Sequence, residues 1–323
     1  MCDSIPNCPS PSSINNKNKR RIVKAPEFEM ISDFIDRYKG LAIDCEIELL
    51  EKFPQFEKLT LKSILETIYT NRMRHQYWRY DANAKAFLKM YEERCQLTYP
   101  MDRNILLNIA RESDMGPVMM CRSLLKLKYK ITNKVELTQL IRSPHLIEDP
   151  MLSANVAQCI CSDSTDGPLI DLKRRVLGEE YEFRLKQMAT KAGMHFYDEN
   201  DLRRLGYDKT PDIKMLLPFF YKGEIINWIE SKANFGCIKT HKTYIQQQLS
   251  SYCNRFGPGI VIYWFGYHED IATSTQNGIG ITVLDDFPAN EDIQLLDLSE
   301  ACESYDTTTT TTKTDDPKQL QIT

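Results

Sequence analysis

The first half of the chain has the apolar spacing of helices. From residue 27 to about residue 144, apolar residues recur every three or four positions, as in MISDFIDRYKGLAIDCEIELLEKF and ANAKAFLKMYEERC. Such spacing places apolar side chains on one face of a helix. We therefore predict an all-α domain over residues 27–150.

The pattern changes after residue 165. An amphipathic segment, LKRRVLGEEYEFRLKQMATKAG, is followed by two strand-like runs around a turn, DIKMLLPFFYKGEIINWIESKA. A second helical segment, THKTYIQQQLSSYCNRF, precedes the continuously apolar run GIVIYWFGY, which is typical of a buried strand. This alternation predicts an α/β domain over residues 151–290.

Both ends of the chain are poor in apolar residues. Residues 1–26 are rich in Pro, Ser and Asn and basic, and residues 291–323 are acidic and include six consecutive threonines. We predict that both are disordered tails. No stretch approaches the roughly 18 apolar residues of a membrane span, and the N-terminus lacks the apolar core of a signal peptide. We expect an intracellular protein of the nucleus and cytoplasm that has no membrane partner.

Charge is segregated along the chain. Residues 58–134 carry 15 basic and 7 acidic side chains, a balance of +8, whereas residues 135–323 sum to −10. A basic block beside an acidic one suits a protein that binds a polyanion with one part and cations with another. Uneven surface charge without function explains the same numbers.

Two segments of the basic block are candidates for nucleic-acid contact. The segment RNILLNIARESDMGPVMMCRSLLKLKY has the layout of a helix-turn-helix, and NRMRHQYWRY interleaves cations with aromatics. An ordinary helical hairpin with a solvated basic face, and a helix whose aromatic side is core, are the alternatives; for Trp78 we favour the core. The candidate contacts are Arg122, Lys126, Lys128, Lys130, Arg72, Arg74 and Arg79.

The strand pair carries a convergent set of charged residues. Glu230 and Lys232 are two positions apart on one strand, so both point to the same face of the sheet. A two-residue loop at Lys222-Gly223 would put Asp212 on the opposite face, whereas a three-residue loop sets Asp212 across from Lys232. We predict the three-residue register or another of the same parity. Carboxylates that converge in this way favour Mg²⁺ or Mn²⁺, but a surface ion pair is an equal alternative on geometry alone.

A resemblance favours the metal site. TPD at 210–212 with ESK at 230–232 looks like the PD-(D/E)xK signature of the restriction-endonuclease-like superfamily, and GEEYEFRLKQM fits the helix that precedes it. Together with GYDKTPD, WIESKANFG and a QxxxY pattern followed by NRFGPGIVIYW, the chain resembles the codanin-interacting nuclease family over most of residues 30–290. That family combines a helical region with helix-turn-helix character and a nuclease domain, a mixed sheet flanked by helices.

The resemblance implies a role for individual residues. Asp212 and Glu230 would be metal ligands together with the main-chain carbonyl of Ser231, and Lys232 would be the catalytic lysine. Glu182 would complete the metal site directly or through water, in competition with Glu180. Substrate-backbone or supporting contacts would come from Gln248 and Tyr252, although Tyr252 is alternatively a core tyrosine with a bonded hydroxyl.

The sequence therefore supports three hypotheses. The leading one is a nuclease that uses Mg²⁺ or Mn²⁺ to hydrolyse nucleic acid and works with a codanin-like partner. The second is a nuclease-fold interaction protein with little or no turnover. The third is a helix-turn-helix DNA-binding regulator whose C-terminal half is structural.

Overall fold

The structure, a computed structural model, describes residues 19–97, 101–275 and 280–296. Its N-terminal half is helical, as the apolar spacing predicts. The helices are α1 (Ala25–Arg37), α2 (Ala42–Lys52), α3 (Lys58–His75), α4 (Tyr77–Leu97), α5 (Ile105–Glu112), α6 (Pro117–Lys128), α7 (Lys134–Arg142) and α8 (Pro150–Ser162), with a 3₁₀ turn at Pro144–Leu146.

The C-terminal half alternates helices and strands. Its elements are α9 (Pro168–Lys191), β1 (Phe196–Asp198), α10 (Glu199–Arg204), β2 (Ile213–Tyr221), β3 (Glu224–Lys232), α11 (Ile238–Tyr244), α12 (Ser250–Phe256), β4 (Gly259–Tyr263), α13 (Glu269–Thr275), β5 (Ile281–Leu284) and β6 (Ile293–Leu295). A π-helical turn, Ile245–Leu249, joins α11 to α12, and a 3₁₀ turn, Asn290–Asp292, precedes β6. This confirms the predicted α/β class with a helical N-terminal region.

The six strands form one mixed sheet in the order β1-β2-β3-β4-β5, and β6 also pairs with β2. Strands β1, β2 and β3 are antiparallel, whereas β3, β4 and β5 run parallel. The central strand β4 is buried at all five positions, as its continuous apolar run predicts. Helix α9 packs on one face of the sheet, and α11 to α13 pack on the other.

The β2–β3 hairpin differs from the predicted register near its turn. Tyr221 pairs with Glu224, so the loop has two residues, and the three-residue loop is wrong. Lys222 and Gly223 both have positive φ, at 49° and 87°, as a tight hairpin turn requires. A bulge between Lys214 and Phe219 then shifts the pairing, so that Ile213 faces Ile229. Beyond the bulge the parity is the predicted one, and the register brings Asp212 to Glu230.

The helical core extends past the expected boundary at residue 150. Apolar residues of α8, including Leu152, Val156 and Cys159, are fully buried in the cluster formed by α1 to α6. Phe235, which follows β3, is buried in the same cluster. The amide of Phe235 donates a hydrogen bond of 2.8 Å to Ser63 Oγ on α3. The two halves therefore share a buried contact three residues beyond Lys232.

Helix α6, the expected groove-binding helix, lies inside the helical bundle. Seven of its twelve residues are buried, and α4 and α8 both pack against it. Its basic side chains lie on the remaining narrow strip. A recognition helix needs a free face to enter a groove, so α6 offers little support for helix-turn-helix docking.

Part of the expected N-terminal tail is ordered. Residues 1–18 lie outside the described residues, but Val23 is fully buried and forms a bridge with His268, and Arg20 forms one with Phe56. Arg21 pairs with Glu57 on the helical side and with Asp285 and Asp286 on the other. These residues join the two halves. At the other end, 293–295 form β6, and residues 297–323 lie outside the described part.

We predict that Gly266→Ala weakens this junction. Gly266 has φ of +84°, and a Cβ there would overlap the carbonyl oxygen of Arg21. The overlap is with backbone, so we expect a loss of about 3 kcal/mol in the free energy of unfolding, measured by urea denaturation. Gly223 has φ of +87° with open space around it, so Gly223→Ala should lose only about 1 kcal/mol. Equal losses would show that the contact with Arg21 contributes nothing.

No helix in the ranges that the structure describes is long and apolar enough to cross a membrane.

Candidate active site

Three of the predicted site residues meet at one end of β2 and β3. Lys232 Nζ donates a hydrogen bond to Glu230 Oε1 at 2.7 Å. Asp212, immediately before β2, accepts a hydrogen bond at its Oδ2 from the main-chain amide of Ser231 at 2.6 Å. The hairpin therefore brings two carboxylates and an ammonium group together from residues about 20 positions apart in sequence.

The site carboxylates are shielded from water. Burial raises the pKa of the Asp212 carboxyl well above its usual range, and the nearby Glu230 carboxylate raises it further. The Glu230 pKa is also raised by burial, although the Lys232 charge opposes that rise. Glu230 Oε2 is buried and has no hydrogen-bond partner among the described residues. An uncompensated carboxylate oxygen of this kind favours binding of a cation.

Lys232 is held in place from several directions. Its Nζ also donates to Gln248 Oε1 at 3.2 Å and lies 4.8 Å from the centre of the Tyr244 ring. Burial alone would lower the pKa of this ammonium group, but Glu230 and Asp212 outweigh that effect, and the net shift is upward. The charged form is therefore favoured. Gln248 lies in the π-helical turn, a feature frequent at functional sites.

One carboxylate of α9 lies near the hairpin residues. Glu182 on α9 has a pKa raised by partial burial and then by Glu199, and the charges of Glu230 and Lys232 also act on it. Glu180, on the same helix, is exposed. The structure therefore brings Glu182, and not Glu180, towards the hairpin residues.

Sequence reasoning missed Glu199. Asp198 pairs with Ile213 between β1 and β2, so Glu199, the next residue, lies beside Asp212. Thr210 Oγ1 donates to Glu199 Oε1 at 3.5 Å, and the charge of Glu199 raises the pKa of Glu230. The available signal was Asp198 with Asp201, a capping box that starts α10 at Glu199. A capping box predicts where the helix starts, but it does not predict that Glu199 lies beside Asp212.

Tyr252 is a buried tyrosine that contacts the segment before Asp212. Its hydroxyl donates to the carbonyl of Thr210 at 2.7 Å, and its ring packs edge-on against Trp228, with centroids 5.4 Å apart. Only 2% of Tyr252 is exposed. The tyrosine therefore fixes the segment that leads to Asp212, which agrees with the core alternative, and it does not present its hydroxyl to solvent.

Some of the basic residues predicted to contact nucleic acid are engaged by other protein groups, whereas others are exposed. Arg72, whose side chain is 10% exposed, donates to the carbonyls of Ile35, Asp36 and Tyr38 at 2.9–3.1 Å. Its guanidinium group is therefore engaged at the C-terminal end of α1. Basic side chains of α6 face aspartates, in the pairs Arg122–Asp166, Lys126–Asp81 and Lys128–Asp149, and Arg79 donates to Gln76. Arg74 and Lys130 are exposed.

The aromatic residues of the same segment differ from the expectation. Trp78 is 69% exposed and Tyr77 is 51% exposed, whereas Tyr80 is fully buried. The prediction of a core role for Trp78 is wrong. Helix α4 begins at Tyr77, and its inner face is formed by Tyr80, Ala84, Phe87 and Tyr91, which leaves Trp78 on the outer side.

The donor set fits a hard cation with few protein ligands. In the part of the chain that the structure describes, no group of three or more His, Cys, Asp or Glu side chains is arranged to hold a metal ion. Mg²⁺ commonly binds through one or two carboxylates and retains several waters. Asp212 and Glu230, with the buried Oε2 of Glu230 lacking a partner, meet that requirement, and a main-chain carbonyl would add a third ligand.

His241 lies beside the site but is sequestered from it. Its Nδ1 is 2.8 Å from the Tyr263 hydroxyl, its Nε2 has no partner among the described residues, and burial lowers its pKa to about 4 from an ordinary value of 6.5. The unfolded chain therefore binds a proton below pH 6.5 that the folded chain refuses until about pH 4. Lowering the pH through this window destabilises the fold.

We predict that this histidine makes the protein acid-sensitive. Between pH 7 and pH 5, the wild type should lose about 2 kcal/mol more unfolding free energy than His241→Gln, which cannot be protonated. Urea denaturation of both proteins at the two pH values measures the difference. Parallel losses would mean that His241 titrates in the folded protein near its ordinary value.

Comparison with known proteins gives the chain relatives over most of its length. CDAN1-interacting nuclease 1 from Danio rerio is 35% identical over 284 residues, which covers 84% of this chain and 91% of the zebrafish protein. The Xenopus laevis protein of the same name is 36% identical and covers 83% and 89%, respectively. This chain belongs to the CDAN1-interacting nuclease 1 family. The Homo sapiens protein is 34% identical, with coverage of 75% and 88%.

A family model also matches this member of the CDAN1-interacting nuclease 1 family. A family model described as "Protein of unknown function TPD sequence-motif" matches residues 148–287, a range that includes Thr210-Pro211-Asp212 and the whole β2–β3 hairpin. No solved structure matches the chain significantly. The resemblance seen in the sequence is confirmed at the level of the family.

Proposed function

We propose that the protein is a metal-dependent nuclease that hydrolyses phosphodiester bonds of nucleic acid, with a restriction-endonuclease-like second half. The convergence of Asp212, Glu230 and Lys232 at the end of the hairpin carries this proposal. The relatives are named nucleases, and this chain retains both acids and the lysine of the PD-(D/E)xK pattern. That complete set favours activity over the catalytically inactive interaction protein.

Mg²⁺ or Mn²⁺ would be held by Asp212, Glu230 and the carbonyl of Ser231, with Glu182 as a ligand directly or through water. Bound there, the ion supplies Lewis-acid activation of the scissile phosphate and a lowered pKa for a coordinated water. The buried carboxylates supply the negative charge that offsets the ion. Their partial shielding from bulk water strengthens every charge interaction within the site.

Lys232 acts as a fixed cation in this proposal. Its ammonium group, oriented by Glu230 and Gln248, donates hydrogen bonds to a phosphoryl oxygen or to the attacking water and stabilises developing negative charge. Tyr252 and Gln248 are positioning residues: one fixes the chain before Asp212, and the other contacts the lysine.

A codanin-like protein is the proposed partner. The relatives from Danio rerio and Homo sapiens are named for interaction with CDAN1, and the similarity covers both the helical half and the sheet. We propose that this chain has a corresponding partner.

Cleavage of labelled single-stranded, duplex and branched DNA and RNA tests the proposed function. We expect cutting with Mg²⁺ or Mn²⁺ and none with EDTA. Equal cutting in EDTA would contradict the role of the metal, and no cutting of any substrate, with the codanin-like partner present, would favour the interaction protein.

The two glutamates of α9 provide a matched pair of variants. We predict that Glu182→Gln lowers the cleavage rate by about tenfold to a hundredfold, because it removes a charge next to Glu230 and Lys232. Glu180→Gln, on an exposed side of the same helix, should leave the rate unchanged. The reverse order of effects would reassign the helix carboxylate to Glu180.

A further inference from the structure

A cleft adjoins the candidate active site on its lysine side. It has a volume of about 500 Å³ and lies between α3 of the helical half and α9 and α11 of the other half. Residues on its walls include Thr70, Arg74, Lys173, Arg174, Asn234 and Tyr244. The cleft therefore exists only because the two halves pack against each other.

The charge in the cleft suits an anionic ligand. Its lining includes four basic side chains, Lys62, Arg74, Lys173 and Arg174, and one carboxylate, Glu66. Lys62 is paired with Glu46, and Arg174 donates to the carbonyl of Thr165 at 3.0 Å. Arg74 and Lys173 are exposed, and no residue in the described ranges forms an ion pair with either.

Both cations can therefore contact a phosphate, although the charge of Lys173 also acts on Glu66 and opposes the rise that burial causes in the pKa of that carboxyl. Arg74 is also the member of the predicted nucleic-acid set that lines this cleft. The paired cations of α6 do not line the cleft, and Arg72 is paired with Asp114.

Tyr244 lines the cleft and also contacts the candidate catalytic lysine. The Tyr244 hydroxyl accepts a hydrogen bond of 3.0 Å from Asn234 Nδ2. The ring of the same tyrosine contacts Lys232, whose Nζ lies 4.8 Å from the ring centre. Two polar atoms in the wall, Thr70 Oγ1 and Asn234 Oδ1, have no hydrogen-bond partner among the described residues.

From this arrangement we propose that the cleft binds unpaired nucleotides of the substrate strand next to the scissile phosphate, with Arg74 and Lys173 as backbone contacts from opposite walls. This inference rests on the proposed nuclease function and narrows its substrate class to nucleic acid with a single-stranded portion. A cleft of this volume is the size of a small-ligand site, enough for about one or two nucleotides but not for a duplex. The helical half thus contributes to the catalytic cleft itself.

Binding without cleavage provides the test. Fluorescence anisotropy with a labelled single-stranded oligonucleotide, in EDTA, compares the wild type with Arg74→Ala/Lys173→Ala. We expect the double variant to bind about tenfold more weakly, with a salt slope shallower by about 1.4 for two lost phosphate contacts. The control Lys85→Ala/Lys89→Ala removes two exposed lysines of α4 and should bind like the wild type.

The outcomes separate this inference from the function on which it rests. If the wild type binds and cleaves but the double variant binds equally well, the cleft assignment is overturned and the nuclease stands. If the double substitution weakens the binding of blunt duplex as much as the binding of single strand, the preference for unpaired nucleotides is overturned. If the wild type neither binds nor cuts any nucleic acid, both proposals fail.

Discussion

Lys232→Met should lower the single-turnover rate of nucleic-acid cleavage by about 10²–10³-fold. Methionine keeps the unbranched chain but removes the positive charge that Glu230 and Gln248 orient. In the proposed mechanism the charged group stabilises negative charge that develops on the phosphate, so the loss should appear in the rate of the chemical step and not only in binding.

The control for this variant is Lys191→Met at the exposed end of α9, which should cut at the wild-type rate. Lys232→Met also leaves the buried Glu230 carboxylate without its cation, and a fall of about 1–3 kcal/mol in unfolding free energy is expected. Circular dichroism therefore accompanies the rate measurement. A folded Lys232→Met protein that cuts at the wild-type rate would remove the lysine from the mechanism.

Arg72→Met should destabilise the fold by about 3–5 kcal/mol, the largest stability effect that we predict. Three main-chain carbonyls at the end of α1 and the Asp114 carboxylate would each lose one donor. Only 10% of the Arg72 side chain is exposed, so water cannot easily replace it. Urea denaturation measures the change.

Arg74→Met, two residues along the same helix, is the matched control. Arg74 is exposed, so its loss should change the unfolding free energy by less than about 0.5 kcal/mol. A stable Arg72→Met protein with weakened nucleic-acid binding would contradict the structural role of Arg72 and restore it to the binding set.

The candidate site could be predicted from the sequence because side chains alternate between the two faces of a strand with a period of two. Glu230 and Lys232 share a face in any regular strand, and a register of the correct parity brings Asp212 to the same place. The predicted loop length was wrong because the correct parity comes from two features together. The loop at Lys222-Gly223 has two residues, and the bulge before Phe219 then shifts the register. Sequence reasoning assumed a single register along the whole hairpin.

The availability of the basic residues could not be predicted, because it depends on how helices pack in three dimensions. Arg72 and Arg74 belong to the same basic segment, yet one bonds to carbonyls of α1 and the other faces the cleft. Likewise, nothing local indicates that Arg21 joins the two halves, since its partners include Asp286, 265 positions away. The spacing of α6 predicts a helix correctly but not its enclosure by α4 and α8.

Cleavage by Asp212→Asn is the most direct test of the proposed metal-dependent nuclease, because the substitution is nearly isosteric and removes one charge from the proposed metal site. We measure Mg²⁺-dependent cutting of a labelled branched substrate by wild type and variant, with the codanin-like partner present and absent. We expect cutting by the wild type with Mg²⁺, none in EDTA, and a loss of at least about 10²-fold in the variant. Undiminished cutting by folded Asp212→Asn would contradict the proposal.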